Sequence, residues 1–228
     1  MNILAMDTSM GACSVAVLGA DGTALGLHAR EALMARGHAE ALMPMVQEVL
    51  AKAGISAPEL DLIAATVGPG SFTGVRIAIA AARGLALATG AKLYGTDSLT
   101  VMARDALGRL SPKGPFAVAV DAHRGMIYLG IYDEAGEQRD GPLLIAPVDA
   151  AELVPRDLIV AVGSGAALLA ESCARQRRHI ETALPELQPS AASLAKIALE
   201  VRATVPILRP LYLRPADARP QQPGVARR

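Results

Sequence analysis

The chain has 228 residues; 52% are hydrophobic, 19% charged and 3% aromatic, with no tryptophan. That length suits one large or two small domains, and the composition excludes a disordered or fibrous chain, leaving alanine and aliphatic side chains to fill the core. Lysine plus arginine and aspartate plus glutamate both number 22, so the formal charge is zero and a strong RNA-binding surface of the chain's own is not expected.

The N-terminal run Met1-Asn2-Ile3-Leu4-Ala5-Met6 is short and meets charge at Asp7, too early for a signal peptide. No apolar run is expected to reach the ~18 residues of a membrane span. A soluble, cytoplasmic protein without membrane contact is the expectation. Strand patterns cover residues 2–8, 12–18 and 24–30, with Gly19-Ala20-Asp21-Gly22 as the turn between the second and third. A helix pattern over residues 38–53 ends at Gly54. Its apolar positions, Ala39, Leu42, Met43, Met45, Val46, Val49, Leu50 and Ala53, span an arc of about 160°, against ~100° for a one-sided helix.

A strand over 61–67 then runs into Val67-Gly68-Pro69-Gly70-Ser71-Phe72-Thr73-Gly74-Val75-Arg76. Glycine allows positive φ and close approach, proline fixes φ, and Ser71 or Thr73 can cap the following helix. Such a turn is either purely structural or, at a helix N-terminus, an anion or partner site. No Gly-Lys-Ser/Thr follows, so it is not a Walker loop. The helix over 75–88 has only Arg76 and Arg83 as charges. It must be covered on both sides within the chain or by a partner. A strand over 92–95 and a helix capped by Asp97 or Ser98, running to about 107, complete the first half.

Residues 108–115 read as a linker, after which the pattern restarts. Strands are expected at 116–121, 126–132, 143–146 and 158–162, and helices at 166–175 and 190–204. Beyond Leu213 the sequence is rich in arginine and proline (Arg214, Pro215, Arg219, Pro220, Pro223, Arg227, Arg228), and 214–228 is expected to be a disordered tail. Cys13 and Cys173 are far apart in apolar surroundings and read as buried thiols of a reducing compartment.

The repeated order of three strands and a helix resembles the α/β superfamily of actin, hexokinase and acetate kinase (ASKHA), with two lobes of duplicated mixed sheets, here 1–108 and 109–213. In that superfamily, turns at Asp7-Thr8-Ser9-Met10-Gly11, Asp121-Ala122-His123-Arg124-Gly125 and Gly163-Ser164-Gly165-Ala166 would face a nucleotide. The resemblance makes Asp7, Asp121, Gly163 and Gly165 candidate vestigial nucleotide contacts.

Within that superfamily the chain resembles the TsaB (YeaZ) family. The resemblance is carried by Ile3 to Ser9, His38-Ala39-Glu40-Ala41-Leu42-Met43-Pro44, the loop Gly68, Pro69, Gly70, Ser71, Phe72, Thr73, Gly74, the run from Asp121 to Tyr128, and Pro210-Leu211-Tyr212-Leu213-Arg214. It implies a non-catalytic subunit with no cofactor and no metal. Such a subunit docks on a TsaD-like catalytic subunit, joined by a TsaE-like ATPase, in forming N6-threonylcarbamoyladenosine at position 37 of tRNA. It would pair with itself when alone and meet tRNA only through the complex. The two apolar helices are the expected partner surface, through Leu42, Met43, Met45, Val46, Val49, Leu50, Arg76, Ile79 and Arg83.

The residues weigh on the rival chemistries. The catalytic relative holds a metal on two histidines four apart on a helix, whereas here His38 is followed at that spacing by Leu42. His28, His123 and His179 have no partner at ligand spacing, and there is no His-Glu-x-x-His, so a metallopeptidase is the weakest reading. An ATP-dependent small-molecule kinase is the main alternative. Asp7 and Asp121 could serve Mg²⁺ or a base, but Met10, His123 and Arg124 are bulky for phosphate turns.

Overall fold

The computed structural model describes residues 1–19 and 26–213. Ala20, Asp21 and Gly22 of the expected hairpin turn, and the expected tail 214–228, lie outside the described residues. Strands β1 (Asn2–Asp7), β2 (Ala12–Gly19) and β3 (Leu27–Leu33) form an antiparallel meander. Strands β4 (Leu62–Thr66) and β5 (Lys92–Thr96) add in parallel, giving the order β3-β2-β1-β4-β5. The second half repeats the plan with β6 (Phe116–Asp121), β7 (Ile127–Tyr132), β8 (Gln138–Ile145), β9 (Val160–Val162) and β10 (Glu181–Ala183). Read from β8, its order is β8-β7-β6-β9-β10, with the same parallel and antiparallel pairings. The fold is the expected duplicated mixed-sheet α/β architecture.

Among the described residues six α-helices accompany these strands: α1 (His38–Ala53), α2 (Phe72–Thr89), α3 (Ser98–Leu110), α4 (Pro147–Leu153), α5 (Ala166–Arg175) and α6 (Ala191–Val201). Helix α4 and strand β10 are missing from the sequence reading. Each is too short, at seven and three residues, to show a period. Pro147 marks a helix start, where a missing N–H costs nothing. Helix α2 begins at Phe72 rather than 75, because Ser71 caps it by accepting the Gly74 N–H at 3.2 Å. Helix α3, capped by Asp97, continues past Gly108 to Leu110, so the connection to β6 is shorter than expected.

The central strands are apolar on both faces because both faces are covered. On one face of the first sheet, α1 and α2 pack Leu42, Met45, Val46, Val49, Leu50, Val75 and Ile79 onto Leu4, Met6, Val15 and Ile63. On the other, α6 packs Leu194 and Ile197 onto Ile3, Ala5 and Tyr94. The second sheet is covered on one face by α4 and α5. On the other lies α3, whose Leu99, Met102 and Ala106 meet Phe116, Val118 and Tyr132. Helix α3 thus serves the second sheet and α6 the first, and the two helices touch.

After α6 the chain runs back along the first lobe as a strap. The Val205 N–H donates to the Leu93 carbonyl at 2.8 Å, Leu208 is buried in the α1–α2 core, and the Leu211 N–H donates to the Val67 carbonyl at 2.7 Å. Helix α2 is, among the described residues, the one helix long and apolar enough to cross a bilayer, against the expectation of none. Its Val75, Ala78, Ile79 and Ala82 are buried within the chain, so its apolarity has a packing cause.

A Cβ on Gly74 would collide with the Thr8 carbonyl oxygen, whereas one on Gly84, further along the same helix, would meet nothing within 4 Å. Gly74→Ala should therefore destabilise the fold by about 1–3 kcal/mol, while Gly84→Ala should be neutral or stabilise by up to ~1 kcal/mol. Urea denaturation of both variants checks this; equal shifts would show that close approach is not what demands glycine at 74.

Candidate functional site

The glycine-rich loop between β4 and α2 lies against the turn between β1 and β2. The Ser71 N–H donates to the Ser9 carbonyl at 2.7 Å. Thr8 Oγ1 donates to the Gly74 carbonyl at 2.6 Å and accepts the Ala78 N–H at 3.1 Å. A Cβ on Gly70 would strike the Ser9 carbonyl, so this glycine, like Gly74, is demanded by the neighbouring turn. Gly68 has φ of 103°, its carbonyl accepts the Ser98 N–H at 2.8 Å, and a Cβ there would stand 2.9 Å from the Leu211 oxygen.

Beneath this contact Asp7 is fully buried. Its carboxylate accepts from the Ser9 N–H at 3.2 Å, from Ser9 Oγ at 2.8 Å and from Thr66 Oγ1. Ser98 Oγ donates to Ser9 Oγ at 3.0 Å, extending the chain of bonds to α3. Burial pushes the Asp7 carboxyl up to about 6, against the pull of those three hydrogen bonds.

Between the lobes is a cleft of about 810 Å³. Its first-lobe wall is Ser9, Met10 and Gly11 with Gly70, Ser71 and Phe72; Asp121, Ala122, His123, Tyr128 and Ser164 form the opposite wall. Gln188, from the segment leading into α6, crosses to the first lobe, where its Oε1 accepts the Gly11 N–H at 2.8 Å. Asp121 Oδ1 accepts the His123 N–H at 2.7 Å, and the Asp121 N–H donates to Ser164 Oγ at 3.1 Å. His123 and Arg124 both hold left-handed backbone, at φ 59° and 55°, a conformation L side chains adopt at a cost. At the rim, Phe72 and Tyr212 stack with ring centroids 5.3 Å apart, and Arg76 joins them.

The expected nucleotide contacts fare unevenly. Asp121 lines the cleft, but Asp7 does not, because its carboxylate is enclosed beneath Ser9. Gly163 and Gly165 are also absent from the lining, which Ser164 joins instead. Their missing side chains let the turn approach β6: a Cβ on Gly163 would stand 2.5 Å from the Ala119 oxygen, and one on Gly165 2.9 Å from the Val120 carbonyl carbon. His38 Nε2 lies 3.1 Å from the Met10 carbonyl and anchors the β1–β2 turn. Among the described residues, no three His, Cys, Asp or Glu side chains gather as a metal would need.

The expected partner surface also needs correction. Leu42, Met45, Val46, Val49, Leu50 and Ile79 point into the chain's own core, because each helix spends its larger apolar side chains on the sheet. Arg83 is half-buried and donates to the Leu208 carbonyl of the strap. Met43 and Arg76 remain exposed. The outer faces carry Ala39, Pro44 and Ala51 on α1, and Ala80, Gly84, Leu87 and Ala88 on α2, none of them among the expected partner residues. Leu87 is 90% exposed. The joining of Phe72 and Arg76 to Tyr212, 136 residues beyond Arg76, and the crossing of Gln188 to Gly11 had no signal in spacing or composition.

Comparison with known proteins gives consistent matches. The family model described as TsaD, tRNA N6-adenosine threonylcarbamoyltransferase, matches residues 31–200. The tRNA threonylcarbamoyladenosine biosynthesis protein TsaB of Haemophilus influenzae is 30% identical over 227 residues, covering 94% of each chain. The protein of that name from Escherichia coli is 42% identical over 138 residues, a stretch that spans 60% of this chain and 58% of that relative. A crystal structure from Pseudomonas aeruginosa, of an uncharacterized protein with similarity to peptidase YeaZ, matches with TM-score 0.80 and 31% identity over 93% of this chain and 99% of that one. A ROK hexokinase from Thermus thermophilus shares the fold alone, with TM-score 0.50 and 14% identity, over 89% of this chain and all of that one.

Asp7 supplies a pH test. The folded chain holds this proton to about pH 6, whereas the unfolded chain releases it near the ordinary 3.8. The native state therefore binds more protons in that window, and stability falls as pH rises from 3.8 to about 6, by up to about 3 kcal/mol from this group. Asp7→Asn should flatten that part of the stability–pH curve. Parallel curves for the two proteins would show that Asp7 does not titrate this way.

Proposed function

We propose a scaffolding role for this chain, which belongs to the TsaB (YeaZ) family of tRNA threonylcarbamoyladenosine biosynthesis proteins. In this reading it is a non-catalytic subunit of the machinery that forms N6-threonylcarbamoyladenosine in tRNA. It docks on a TsaD-like catalytic subunit, with a TsaE-like ATPase as the third member, and pairs with itself when that partner is absent. It acts in the cytoplasm and meets tRNA as part of the complex.

The outer face of α2 carries the docking proposal. Ala80, Gly84 and Leu87 follow one another at helical spacing, and all are exposed. A stripe of small residues closed by a nearly fully exposed leucine admits close approach of another helix. Met43, Pro44 and Ala51 on the neighbouring α1 extend it. Burying such a face at ~25 cal/mol per Å² favours association, before the entropy of docking is subtracted. A lone phosphotransfer role has less support, since Asp7 is enclosed and Gln188 occupies the Gly11 N–H that an anion would use.

Threonylcarbamoylation of tRNA reconstituted with and without this chain tests the role: the full mixture should be active, and neither this chain alone nor the mixture lacking it should be. Leu87→Asp should weaken pairing with the catalytic subunit by about 2 kcal/mol or more while leaving the thermal melt unchanged. Val46→Asp, by contrast, places a charge in the core and should unfold the chain. Wild-type pairing by folded Leu87→Asp and Ala80→Asp chains would put the interface elsewhere.

A further inference from the structure

The chain has only two phenylalanines and four tyrosines, yet one of each stands half-exposed at the cleft rim. Phe72 and Tyr212 are each 45% exposed, and their rings stack at 5.3 Å. The Arg76 guanidinium lies 3.6 Å over the Phe72 ring, and its Nε donates to the Tyr212 hydroxyl at 2.6 Å. Both rings border the 810 Å³ cleft, with Asp121 on the facing wall.

We propose that this rim is a seat for an unpaired base of the RNA on which the complex acts; the proposal rests on the tRNA-modification reading. The half-exposed aromatic pair is held by its own stacking and by Arg76, so little ordering is left to do when a base lands on its exposed ring surface. The Asp121 carboxylate can accept a hydrogen bond from a base's exocyclic amine. The guanidinium supplies positive charge beside the rings, suited to a phosphate. From Leu213, which lines the same cleft, the sequence continues into fifteen residues with four arginines against one aspartate. The neutral charge of the whole chain leaves bulk phosphate affinity small. The seat therefore acts as a selector of unpaired bases, and a duplex, whose bases are stacked inside, cannot use it.

The test is fluorescence anisotropy of the full chain at low salt with a short RNA hairpin bearing adenines in its loop, against the same RNA annealed to its complement. The hairpin should bind about five-fold or more tightly than the duplex, and Tyr212→Ala and Phe72→Ala should each erase that preference. Photocrosslinking of a 4-thiouridine hairpin to the unmutated chain, which does not depend on either variant folding, should label the Phe72 or Tyr212 peptide. Equal binding of hairpin and duplex, a preference that survives both substitutions, or crosslinks confined to other surfaces would each overturn the seat. Activation of the catalytic subunit is measured on the same preparations. For the unmutated chain, activation without loop preference removes the seat alone, whereas loss of both removes the subunit reading as well.

Discussion

The contact on which much of this structure depends is backbone against backbone: the glycine-rich loop lying on the β1–β2 turn. At Gly70 and Gly74 the Ser9 and Thr8 carbonyls come so near that no side chain fits. That approach lets Thr8 Oγ1 tie into the first turns of α2 and lets Ser9 cover Asp7. It also sets where α2 begins, and hence which of its faces meets the sheet. A loop of this composition is often an anion cradle elsewhere; here its closeness is used to lock a turn to a helix.

A second constraint follows from the exchange of α3 and α6. Each lobe's sheet is finished by a helix from the other lobe's chain segment, so neither half buries both faces of its sheet unaided. The lobes are coupled through a shared helical layer and through Gln188 crossing to Gly11. The strap then returns the chain to the glycine loop and delivers Tyr212 to Phe72 and Arg76. Loop and cleft rim thus meet at the N-terminal end of α2, whose outer face runs on to Leu87. A partner docked on α2 and a ligand at the rim would both lie against residues set by the same loop.

The enclosed Asp7 shows how a turn beside a cleft can keep its carboxylate out of it. Three donors surround the carboxylate, yet burial outweighs them and holds the proton into the range near pH 6. A carboxylate committed to Ser9 and Thr66 is a structural pin, while Asp121, at the equivalent turn of the second lobe, still faces the cleft. The two lobes are duplicates in topology and have diverged in chemistry.

The sequence by itself determined the strand and helix periods, the ends of α1 and α5, and the duplicated order of strands, because these depend on local periodicity and on caps such as Gly54 and Asp97. The family motif in residues 67–76 was equally legible. Tertiary structure alone decided which face each apolar helix turns inward. Leu42, Val46 and Ile79 look like partner residues on a helical wheel, but the sheet's larger apolar surface claims them and leaves alanine, glycine and Leu87 outside. It alone brought Tyr212 to Phe72 and Gln188 to Gly11, and it alone put Asp7 out of the cleft's reach. Periodicity reports that a helix has an apolar side; only the packing of distant segments determines what that side, and the side opposite, will touch.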